Sequence, residues 1–221
     1  MSEKGIFREI KGSESKKQGD TPVQMLCMEG DMDSILDKVM SAKGGKKAVL
    51  KRTLDILIGL SLKGYEGKPV GAIFLIGDIE GLRRYTSQMI INPFKGWRDI
   101  NILDESQRAT FEAFCQLDGA FILDHRGYAH YAGRMIHVKG EMDCYLDGPI
   151  PREKDRNGTG TRGRASRYIT ERTKTVAVSL SHSGEITLFE RGKELGRFTR
   201  RVIFVGPEKL QNLIMAGNGE K

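Results

Sequence analysis

The sequence predicts a single α/β domain: a twisted mixed β-sheet flanked by helices. Three observations carry this. Segments of helical apolar period and short apolar runs of strand type interleave from end to end. Glycine-bearing turns at His125-Arg126-Gly127, Ser183-Gly184 and Arg191-Gly192-Lys193 fold the later strands into hairpins. The 221 residues, 38% hydrophobic and without an internal repeat, suffice for one full core and are borderline for two.

Residues 1–20 are polar, with Gly12, Ser13, Ser15 and Gly19 among charges, and are expected to form a mobile tail; residues 21–221 are assigned to the domain. Val23 to Met28 is a strand candidate. Asp31 or Asp33 is expected to cap a helix from Ser34 towards Ala42. After the break at Gly44-Gly45, Leu50, Leu54, Leu57, Ile58 and Leu60 keep helical spacing from Lys46 to Leu62. Val70 to Ile76, bounded by Pro69 and Gly77, reads as a buried strand. Asp78 is placed to cap a short helix through Tyr85. A long connection follows over residues 86–102, and Asp104 then caps a helix to about Gln116.

Leu117-Asp118-Gly119-Ala120 brings a helix end almost directly into a strand. Tyr128 to Ile136 returns as its hairpin partner, and residues 137–157 lack periodicity and read as a loop. A helix from Thr161 to about Thr170 precedes a strand from Lys174 to Leu180. Glu185 to Glu190 and Leu195 to Val205 are further strands, and Pro207 opens a last helix towards Ala216.

No run approaches the ~18 apolar residues of a membrane span, and Met1 to Gly5 lacks the apolar core of a secretory signal. The expectation is a cytosolic chain with no membrane partner. Cys27, Cys115 and Cys144 form no Cys-x-x-Cys pair, which argues against a disulfide framework or a structural zinc. His125, His130 and His137 lie near Asp124, Asp143 and Cys144, but their spacing fits no tight zinc pattern. Cys115, among Phe111, Phe114 and Leu117, reads as a core residue.

The chemistry concentrates in Gly158-Thr159-Gly160-Thr161-Arg162-Gly163-Arg164-Ala165-Ser166. From Pro151 to Lys174 the net charge is +5 of the chain's +7. Hydroxyls, guanidiniums and the free N–H groups of a helix start suit an anion, above all a phosphate.

These residues, with Pro69-Val70-Gly71-Ala72-Ile73, Asn92-Pro93-Phe94, Asn101-Ile102-Leu103-Asp104, Asp118-Gly119-Ala120 and Val176-Ala177-Val178-Ser179, give the chain a resemblance to the diadenylate cyclase domain family, nearest its soluble archaeal branch. The likeness runs from roughly Gly44 to Gly192. It implies an enzyme that joins two ATP into cyclic di-AMP with loss of two pyrophosphates. It further implies Mg²⁺ or Mn²⁺ on Asp118, and catalysis in a head-to-head homodimer, since a two-fold product asks for two identical half-sites.

By the same resemblance Asp118, Arg162 and Arg164 are catalytic, and Gly119, Ala120, Gly160, Thr161, Gly163 and Ser179 join them around the nucleotide. Gly119 would let the nucleotide approach the backbone, and Ala120 would keep the wall small for the sugar or base. One departure matters. The family's Thr-Arg-His-Arg pattern reads Thr161-Arg162-Gly163-Arg164 here. The alternative is therefore an ATP- or cyclic di-AMP-binding relative with impaired turnover. Nucleic acid is a third and less favoured partner, since Phe121, Tyr128 and Tyr131 read more readily as sheet core than as base-stacking platforms.

Overall fold

The computed structural model describes residues 6–8, 23–29, 45–138 and 160–205. Along the chain run β1 (Ile6–Arg8), β2 (Val23–Glu29), α1 (Gly45–Lys63), β3 (Ala72–Gly77), α2 (Ile79–Tyr85) and β4 (Thr86–Gln88). A 3₁₀ turn (Glu105–Gln107) leads into α3 (Arg108–Phe114), β5 (Ala120–Leu123) and β6 (Ala129–Ile136). Then follow α4 (Thr161–Arg172), β7 (Thr175–Leu180), β8 (Ile186–Glu190) and β9 (Lys193–Val205).

The described strands form one nine-stranded sheet in the order β1-β2-β9-β8-β7-β3-β5-β6-β4. Only β3 and β5 are parallel, pairing Ile73 with Ala120 and Phe74 with Phe121. Every other neighbouring pair is antiparallel.

The central strands are apolar on both faces because both are covered. Phe74, Ile76, Phe121, Leu123, Val176 and Val178 point to one side, where α1 supplies Val49, Leu50, Leu54 and Leu57 and the region of α3 adds Phe111 and Cys115. Ile73, Leu75, Ala120, Ile122, Ala177 and Phe189 point to the other, under Ile169 of α4 and Leu82 of α2. Phe74 and Phe121, opposite each other on the parallel pair, stack with ring centres 4.4 Å apart. Burying one such side chain stabilises the fold by roughly 1.5–3 kcal/mol. The mixed sheet with helices on both faces is the predicted α/β architecture.

Local signals account for most boundaries. Asp78 caps α2 by accepting from Gly81 N–H at 2.8 Å. Asp104 also caps, but over the 3₁₀ turn, accepting from Ser106 N–H at 2.9 Å, so the single helix expected there divides in two. Phe94 is buried against Phe111, Phe114 and Phe121, and Asn92 ties the same loop to β6 through His130 O at 3.0 Å and Ala132 N at 3.1 Å. Asn92-Pro93-Phe94 thus anchors the long connection.

That connection is not wholly irregular. Thr86–Gln88 pairs with β6, a correction to the expected loop over 86–102, and three residues are too few to show a period of two. Likewise Ile6–Arg8, assigned to the polar tail, pairs with Leu26 to Met28 of β2. The rest of residues 1–20, the helix expected over 34–42, most of the 137–157 loop and the final helix after Pro207 lie outside the described residues. No described helix is long and apolar enough to cross a membrane.

Candidate active site at the sheet edge

The topology gathers four chain segments at one edge. Since β3 and β5 are parallel, their N-terminal ends, Gly71-Ala72 and Asp118-Gly119, lie side by side. Because β7 runs antiparallel to β3, with Ala72 opposite Leu180, its C-terminal end arrives at the same edge. Only two residues separate α4 from β7, so the helix runs back along the sheet and its N-terminus sits beside Ser181 and His182.

Two adjoining clefts result, sharing Arg162 and His182. The larger, of about 410 Å³, is lined by Asp118, Arg162, Gly71, Lys68 and Tyr65 among others. The smaller, of about 230 Å³, is lined by Gly160, Thr161, Gly163 and Ser179 together with Arg162 and His182. The larger cleft alone falls within the range of small-molecule sites, roughly 300–1,000 Å³.

Asp118 is exposed, and its Oδ1 accepts from Gly119 N–H at 2.9 Å. Its second oxygen has no hydrogen bond among the described residues. Arg162 is half-buried, and its guanidinium has no hydrogen bond or ion pair among the described residues. It lies directly over Gly71, where an added Cβ would be 2.5 Å from both Cζ and Nη1. Gly71 is thus a seat for Arg162, a role with no signature in the sequence. At the start of α4, Gly160 has an extended backbone and no side-chain cap, and its carbonyl accepts from Arg164 N–H at 3.1 Å. The first N–H groups of the helix therefore have no capping side chain among the described residues.

The other expected residues divide. Ser179 is buried and its hydroxyl donates to Thr187 O at 3.3 Å, at the wall of the smaller cleft. Gly163 is buried on α4 and faces the same cleft. Ala120 packs into the core beneath α4 and lines neither cleft. Gly119 also lines neither. Its φ of +97° and the 2.7 Å from an added Cβ to Gly133 C show that the missing side chain makes room for β6, independently of any ligand. Arg164 is exposed and is not among the residues lining either cleft.

Sequence reasoning assigned no site role to Gly71, Lys68 or His182. Of the chain's four histidines, His182 is the one lining these clefts, whereas His130 pairs with Asp124 at 3.4 Å beyond the opposite end of β5. Cys115 borders the larger cleft, but burial, helped by Glu112, pushes its thiol pKa well above the ordinary value, so it is no nucleophile there. No group of three or more potential metal ligands exists among the described residues.

The profile of the DAC domain, described as DisA bacterial checkpoint controller nucleotide-binding, matches residues 60–194, which contain every cleft residue named above. The chain belongs to the diadenylate cyclase family. It is 33% identical over 149 residues to the diadenylate cyclase of Methanocaldococcus jannaschii, covering 67% of this chain and 44% of that protein. With the diadenylate cyclase of Haloferax volcanii it shares 29% identity over 175 residues, 79% of this chain and 61% of the relative. The chain therefore spans about half the length of these relatives. Among solved structures, DacA of Staphylococcus aureus is similar at 19% identity and a TM-score of 0.42, over 78% of this chain and 96% of that one, a likeness too loose to carry an argument.

Proposed function

We propose that the chain is a diadenylate cyclase unit that condenses two ATP into cyclic di-AMP and two pyrophosphates, as a nucleotidyltransferase working in a head-to-head dimer. The observation that carries the reading is the shared cleft. Asp118 and Arg162, 44 positions apart, line one cavity at the sheet edge in a member of this family.

Each residue has a task that follows from its setting. Arg162, unpaired among the described residues and held over Gly71, neutralises triphosphate oxygens and the departing pyrophosphate. Thr161 and the uncapped start of α4 offer a hydroxyl and N–H groups to the same phosphates. Ser179, whose hydroxyl is engaged by Thr187 O, shapes the wall. Arg164, exposed near the same helix start, adds positive field.

Asp118 is the residue that would hold Mg²⁺ or Mn²⁺. The donor set fits, because one carboxylate with an open oxygen, completed by phosphate oxygens of the substrate, suits a hard cation that keeps part of its hydration. When bound, such a cation neutralises charge on the phosphates. In the reaction the 3′-hydroxyl of one ATP attacks the α-phosphorus of the other. The new O3′–P bond forms as the bond to pyrophosphate breaks, and the hydroxyl proton passes to water at this open edge. Alignment of the two nucleotides supplies most of the acceleration. A second copy facing the first would bring the second ATP.

The test is to incubate the protein with ATP and Mn²⁺ or Mg²⁺ and to measure cyclic di-AMP. The parent forms product, and Asp118→Asn, a change at an exposed side chain, abolishes it while melting at the parent temperature. An Asp118→Asn variant that cyclises ATP at the parent rate refutes the assignment. Gly163, buried at the cleft where the family carries histidine, favours one other reading: a protein that binds ATP tightly and forms no product.

A further inference from the structure

Gly163 faces the smaller cleft and contributes no side chain, so α4 presents no side-chain donor to it from that position. Another element fills this part of the cleft. We infer that His182, on the turn between β7 and β8, donates a hydrogen bond to the phosphates of the bound nucleotide in place of a side chain at position 163. The inference rests on reading the cleft as the ATP site.

Position comes first. His182 lines both clefts, and the one other residue common to both is Arg162. An imidazole between Asp118 on one side and Thr161 and Gly163 on the other lies where a nucleotide spanning the two clefts must carry its phosphates.

The turn that presents it is held on three sides. Ser181 N–H donates to Glu185 O at 2.9 Å, and Gly184 N–H donates to Ser181 O at 3.0 Å. The Ser61 hydroxyl, on α1, donates to Gly184 O at 2.5 Å. Gly184 has φ of +86°, and an added Cβ would sit 2.9 Å from that Ser61 oxygen, so the turn is seated closely on α1. A donor on a support of this kind loses little freedom on binding.

The surroundings leave it available. His182 is exposed and has no hydrogen-bond or ion-pair partner among the described residues. The acid nearest in sequence, Glu185, also lines the smaller cleft but is paired with Arg197 at 2.8 Å. An imidazole N–H with nothing else to satisfy donates to a phosphate oxygen with the strength of a bond to a charged acceptor.

The exposure of His182 makes the test clean, since its removal breaks no hydrogen bond or ion pair among the described residues. Titration calorimetry of the full chain with Mg²⁺-ATP and, separately, with adenosine is run on the parent, His182→Ala and His182→Gln. In His182→Ala the Kd for ATP rises about 10-fold or more while that for adenosine is unchanged. His182→Gln, which keeps an amide donor, falls between. Cyclic di-AMP formation drops in the same order, and the melting temperatures coincide. ATP affinity of His182→Ala within twofold of the parent overturns the inference, as does an equal loss for adenosine. A parent that binds no ATP brings down the reading of the cleft itself. The parent alone decides that question, and the ratio of variant to parent decides the role of His182.

Discussion

Replacing Gly71 by alanine separates the site from the fold. The new Cβ would stand 2.5 Å from Cζ and Nη1 of Arg162 and 2.9 Å from Nη2. Relaxed carbon contacts lie at about 3.5–4.0 Å, so the guanidinium must retreat by about 1 Å. It can do so cheaply, being the far end of a flexible side chain without a partner among the described residues. Gly71 is also not in the positive-φ region, so alanine meets no backbone strain and removes some freedom from the unfolded chain, worth about 0.4–1 kcal/mol in favour of folding. The melting temperature should therefore stay level or rise slightly. Activity should move the other way, because a 1 Å misplacement of a positioning group costs on the order of 10²-fold in rate. The assay pairs a thermal melt with a time course of cyclic di-AMP formation at saturating ATP. A Gly71→Ala protein that cyclises ATP as fast as its parent refutes the claim that the seat of Arg162 matters. One that loses activity only in proportion to a loss of folded protein refutes the claim that the two are separable.

Two further predictions concern residues at the same edge. Gly119→Ala combines a φ of +97° with a Cβ 2.7 Å from Gly133 C and 2.8 Å from Arg134 N, backbone atoms that cannot yield, so it should destabilise by about 3 kcal/mol and lower the melting temperature by roughly 10 °C; an unchanged melt refutes the close approach to β6. Cys115 is 1% exposed, and burial raises its thiol pKa, so peptide mapping should find it unalkylated by iodoacetamide at pH 8 in native protein and alkylated in urea. In linkage terms that thiol titrates higher in the folded than in the unfolded chain. Its contribution to stability is complete below the unfolded value of about 8.5 and declines as pH rises through the folded one.

Much of the fold was legible because its long elements carry strong periods. The spacing of Leu50, Leu54 and Leu57 marked α1, and the apolar runs at residues 72–77 and 175–180 marked strands covered on both faces. Asp78 signalled its helix through the chemistry of a cap. What the sequence hid were pairings made across the sheet. Ile6–Arg8 and Thr86–Gln88 become strands only because β2 and β6 offer them edges. The candidate site was hidden in the same sense. Nothing local to Asp118 points to Arg162, and they meet because a parallel β3/β5 pair and an antiparallel β7 end at one edge. Gly71 and His182 were given no role at the site, because a seat and a turn acquire one only when another element comes to rest beside them.

The pair of arginines shows where helix geometry sharpens the reading further. From residue types alone, Arg162 and Arg164 look equivalent and seem to converge on one triphosphate. Once α4 is known to begin at Thr161, they cannot be equivalent, since residues two apart on an α-helix point about 200° away from each other. Arg162 turns towards Gly71 and the cleft, whereas Arg164 is exposed on a different side of the helix. Gly163 lies between them and is buried, on the face of α4 that meets the smaller cleft. Of the first four residues of α4, Thr161, Arg162 and Gly163 line the smaller cleft, onto which the end of the helix opens, and Arg164 lines neither cleft. On the proposed reading of these clefts as the triphosphate site, a donor from outside α4 is at hand in the turn carrying His182, which lines both clefts.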